Sequence, residues 1–132
     1  MKRNLSKTNM RILLKEIHEI INEITDEKVK SFGEKVIPDL HYPPGAFFET
    51  EEKELLEKLL AIPNIGYGLK KILNDVQARI VFHLFAIIDG VGDPVDDDWS
   101  EVILVDRMKA DQELFLHDEF YSTYWDWLED KN

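Results

Sequence analysis

The sequence predicts a mainly helical domain of the α+β type: four to five helices with one short antiparallel β-hairpin near the C-terminus, in a single unit spanning 1–132. Two observations carry the helices: apolar residues recur at helical spacing over several long stretches, and Pro and Gly punctuate the gaps between them. A third carries the hairpin, two short apolar runs late in the chain, Val102 to Val105 and Leu114 to Leu116, at strand length.

The first helix is expected over about 6–24. On a helical wheel, Met10, Leu13, Leu14, Ile17, Ile20, Ile21 and Ile24 fall within an arc of about 120°, with Ile12 pointing away from it. Asp26 is suited to cap a separate helical piece running through Val36. Pro38, Pro43, Pro44 and Gly45 then exclude a regular element, so 38–49 is a loop. Thr50 is expected to cap a helix over 51–62, with Glu51 and Glu52 at its positive end and Leu55, Leu56, Leu59, Leu60 and Ile62 on one face. Pro63 stops it.

A longer helix follows over about 66–89 and ends at Gly90. Its first half is one-sided through Leu69, Ile72, Leu73, Val76 and Ile80. Beyond Ile80 the apolar side chains point in every direction, which predicts the buried central strut of the fold. After the hairpin, Asp118 is placed to cap a last helix whose Phe120, Tyr121, Tyr124, Trp125, Trp127 and Leu128 share a wide arc, the face through which that helix should pack.

At 132 residues and 44% hydrophobic, the chain has enough apolar material for one core. The absence of cysteine removes disulfides, thiolate metal sites and a cysteine nucleophile, and suits a reducing cytoplasm. The basic amino terminus runs into an amphipathic pattern instead of a signal-peptide core, and the longest apolar run falls short of the roughly 20 residues of a membrane span. A soluble, cytoplasmic protein is expected.

Charge is strongly segregated. Of a net charge of −11, residues 1–36 carry 8 Lys/Arg against 6 Asp/Glu, whereas residues 89–130 carry 2 against 14. Such a field repels nucleic-acid phosphates and anionic membrane surfaces and attracts a basic protein surface. The expected partner surface lies there: Asp93, Asp96, Asp97, Asp98, Trp99, Asp118, Glu119 and Trp127. The preferred functional reading is a protein-interaction module docking a basic partner protein through this acidic, aromatic third. An inhibitor or immunity-type protein that neutralises a basic toxin would act in this way, by analogy only. Acidity that serves solubility alone is the plainest alternative.

Catalytic chemistry has little to stand on. There is no phosphate-binding loop, dinucleotide fingerprint, zinc-protease helix or nucleophile elbow, and Ser6, Ser31, Ser100 and Ser122 lack an activating neighbourhood. The rival reading is a metal-binding protein or metal-dependent enzyme built on His83, Asp89 and His117, a set of two imidazoles and one carboxylate. His83 shares a helical face with Val76, Ile80 and Ile87, which predicts that it points at the core, where an unpaired ring costs about 1–3 kcal/mol. A core histidine with a hydrogen-bond partner is its plain reading. No cofactor is predicted beyond a weak divalent-cation option at the aspartate-rich loop, whose spacing fails the EF-hand pattern: Val91, Pro94 and Ser100 fall at loop positions 3, 6 and 12. His117, Asp118 and Glu119 read more simply as a helix start. His18 and His41 read as incidental, and Phe47 with Phe48 as a lid on the core or an exposed tip.

Overall fold

A computed structural model describes residues 5–92, 102–106, 117, 120, 121 and 123–131. Its helices are α1 (Lys7–Gly33), α2 (Thr50–Leu60), α3 (Ile65–Ile88) and α4 (Tyr124–Lys131).

α1 begins where Ser6 accepts a hydrogen bond from the Asn9 backbone N–H at 3.2 Å, a side-chain N-cap. The helix is continuous through the break expected at Asp26. Nothing between Thr25 and Phe32 interrupts helical hydrogen bonding, and Asp26 instead reaches across to Lys70 Nζ at 2.6 Å. α1 ends in a Schellman turn: Val36 N–H donates to the Ser31 carbonyl at 2.9 Å while Lys35 sits in the left-handed region at φ 56°. α2 starts at Thr50, the residue expected to cap it. Glu49 is its N-cap, and the Glu49 backbone N–H donates to the Glu52 carboxylate at 2.7 Å, so Thr50 lies inside the helix.

α3 forms where the spacing places it, and Gly90, at φ 72°, closes it with Val91 N–H donating to the Ala86 carbonyl at 3.0 Å. α1 and α3 pack against each other as an antiparallel pair, about 40 and 36 Å long at 1.5 Å per residue. Ile17, Ile21, Thr25 and Val29 of α1 line up along Gly66, Leu73, Gln77, Val81 and Phe85 of α3, and α2 sits at the closed end with Leu60 buried. Two features set the register. A Cβ on Gly66 would lie 2.9 Å from the Val29 carbonyl oxygen, so the backbones touch there. Thr25, 0% exposed, accepts a hydrogen bond from Gln77 Nε2 at 2.7 Å, a buried polar pair satisfied only when the helices are aligned.

Two further expectations are corrected. Residues 102–106 form no strand, and there is no strand among the described residues; the hairpin's other half, 114–116, lies outside them. Val102 to Val105 are apolar enough for a strand, but Ile103 and Leu104 instead line a cleft at the open end of the pair with Met10, Leu13, Phe85 and Ile88. Nor is the end of α3 a buried strut. Ile80 is 65% exposed and Phe82 69%, because α1 covers one side of α3 and no other described helix packs along it. Among the described residues, Leu60 is the only buried hydrophobic side chain.

Candidate protein-interaction surface

Three features of the described residues bear on function. The first is an aromatic cluster joining the proline-rich loop to the chain's last helical stretch. Tyr42 stacks on Phe120 with ring centroids 5.9 Å apart and meets the edge of Tyr124 at 5.0 Å; Tyr124 in turn meets Trp125 at 4.9 Å. Of the aromatic residues expected on the face of the last helix, Phe120, which precedes α4, and Tyr124 meet the loop at Tyr42. It is only partly covered: Phe120 is 60% exposed and Trp125 50%.

The second is an anchor between distant parts of the chain. Asp106 Oδ1 accepts from the Asn9 side-chain amide at 2.8 Å, the Ser6 backbone N–H at 3.3 Å and the Ser6 hydroxyl at 3.4 Å. The Asn9 amide, then the Ser6 backbone N–H, hold its carboxyl below the usual carboxylate range, and the positive end of α1 favours the same charge. One acidic side chain of the C-terminal third is thus committed to structure. The ion pairs among the described residues, Lys70–Asp26, Lys28–Glu27 and Lys30–Glu34, leave Asp89, Asp126, Glu129 and Asp130 without a Lys or Arg partner there.

The third is the uncovered side of the α1–α3 pair. Met10, Leu13, Ile20 and Ile24 on α1, and Ile72, Val76 and Ile80 on α3, are all exposed. His83 continues the α3 stripe. It is exposed too, edge-on to Phe82 at 5.7 Å, so it is a surface residue and not a core histidine.

The remaining candidates fall as follows. Asp93, Asp96, Asp97, Asp98, Trp99, Asp118 and Glu119 lie outside the described residues; Trp127 lies within α4. Asp89 is the exposed C-cap of α3, and His117 is exposed. Among the described residues no three His, Asp or Glu side chains gather into a group that could hold a metal ion, so His83, Asp89 and His117 are not brought together as ligands. His18 and His41 are exposed, and Phe47 projects outward with Phe48 half-buried. No described helix is long and apolar enough to cross a membrane. Tyr42 and Asp106 are the residues missed in the sequence, since the partners of each lie far along the chain. The chain matches no family model, no curated protein and no solved structure.

Proposed function

We propose that the chain is a protein-interaction module that captures a basic partner protein with its acidic, aromatic C-terminal third. The observation that supports this best is the aromatic cluster. Tyr42 braces Phe120 and Tyr124 while Phe120, Tyr121 and Trp125 keep much of their surface exposed, within a stretch that carries 2 Lys/Arg against 14 Asp/Glu. Braced, half-exposed aromatic rings act as anchors at protein interfaces, and surrounding carboxylates speed encounter with a basic surface. Neutralising a basic toxin, as an inhibitor or immunity-type protein does, is the role this reading fits. The acidic residues at 93–98, with Trp99, Asp118, Glu119 and Trp127, supply the steering charge and further anchors.

Pull-down from source-cell extract tests the reading. The tagged protein should retain a basic protein at low salt, lose much of it at high salt, and lose it at low salt when Phe120 and Trp125 are both changed to Ala. Retention that ignores salt, or that survives Phe120→Ala/Trp125→Ala, would refute it.

A further inference from the structure

The α1–α3 pair leaves an apolar stripe exposed on each of its helices. Ile20 and Ile24 on α1, and Ile72, Val76, Ile80 and His83 on α3, stand exposed at intervals of three and four, the spacing of a helix-bundle seam, and Met10 and Leu13 continue the α1 stripe into the cleft shared with Ile103 and Leu104. Five stripe residues directly precede one that faces the other helix: Ile20 before Ile21, Ile24 before Thr25, Ile72 before Leu73, Val76 before Gln77, Ile80 before Val81. One step back turns the same way about each helix axis, and because the helices run antiparallel, both stripes emerge on the same side of the pair. The opposite side, one step forward, offers Asn22, Asp26 and Asn74 along its middle and, toward the open end, a groove lined by Leu14, His18, Ala78, Phe82 and Phe85.

We infer that this face is the interface between two copies of the chain, which close it as a four-helix bundle. Charge selects that occupant. One residue further back on α1 stand Glu16, Glu19 and Glu23, an acidic flank beside Ile17, Ile20 and Ile24; on α3 the same position gives Lys71, Asp75 and Arg79, two of them basic. A two-fold mate that lays its α1 on this α3 brings the acidic flank against the basic one on both sides of the seam. The inference is independent of the partner-capture reading, which uses other residues.

Sedimentation equilibrium of the full chain over a range of concentrations tests it. The wild type should run at twice the 15.5 kDa monomer mass. Ile20→Glu/Ile80→Glu should weaken association by about 100-fold or more with helical circular dichroism unchanged, since both side chains are already exposed. Arg79→Glu should weaken it by roughly 5-fold, and Phe82→Glu on the opposite side should leave it intact. A monomer at every concentration, or a dimer broken by Phe82→Glu and not by Ile20→Glu/Ile80→Glu, would overturn the inference.

Discussion

At Gly66 the backbones of α1 and α3 approach closely, and replacing it with Ala perturbs that contact. A Cβ there would lie 2.9 Å from the Val29 carbonyl oxygen, 3.1 Å from Val29 Cγ1 and 3.3 Å from Val29 Cα. Two of the three neighbours are backbone atoms of a helix interior, which cannot swing aside as a side-chain end can. The helices must therefore part by about half an ångström, loosening the Thr25–Gln77 pair on the same seam, and overpacking of this kind costs about 1–3 kcal/mol. Against it stands the helical preference of Ala over Gly, about 1 kcal/mol. The net expectation is a loss of about 1–2 kcal/mol. Gly68, two residues along in the same helix, has nothing within 4 Å of its virtual Cβ, so Gly68→Ala should stabilise by up to about 1 kcal/mol. Urea denaturation at one fixed chain concentration measures both. Equal or greater stability for Gly66→Ala than for Gly68→Ala would refute the close-approach reasoning.

The two Schellman turns offer an opposed pair: Lys35→Gly should stabilise by about 0.5–1 kcal/mol, because Lys35 holds a left-handed φ of 56°, whereas Gly90→Ala at φ 72° should destabilise by about 1 kcal/mol, both read from thermal melts. Gln77→Met should cost about 1–3 kcal/mol by leaving the buried Thr25 hydroxyl unpaired, and Thr25→Val/Gln77→Met should recover most of that in a double-mutant cycle. Asp106 has a carboxyl pKa below its unfolded value, so its contribution is complete above about pH 4 and fades as pH falls through the folded value. The stability difference between wild type and Asp106→Ala should therefore shrink between pH 6 and pH 2, as followed by urea midpoints.

Periodicity in the sequence identified which residues share a helical face, and it did so well. α3 was expected over 66–89 and forms over Ile65–Ile88, and the arc from Met10 to Ile24 lies on α1 as expected. What periodicity does not encode is what covers a face. Val76, Ile80 and His83 do share a side, yet that side is open, so the inference from shared face to buried core failed for His83. An apolar stripe looks the same whether its cover is the same chain or another one. Gly90 announces the end of α3 because glycine is the usual left-handed residue; Lys35, which holds that conformation at the end of α1, gives no such signal. The binding of Asp106 to Ser6 spans 100 residues, beyond any local pattern.

Hydroxyl-radical footprinting with mass spectrometry, carried out on the wild-type chain from dilute to concentrated solution, reads most directly whether the apolar side of α1 and α3 is left open by the chain itself. Side chains at Ile20, Ile24, Ile72, Val76 and Ile80 should be oxidised readily when dilute and become protected as concentration rises, while Phe82 stays reactive throughout. Protection of those five positions at every dilution would mean that a single chain already covers them, and would contradict the account.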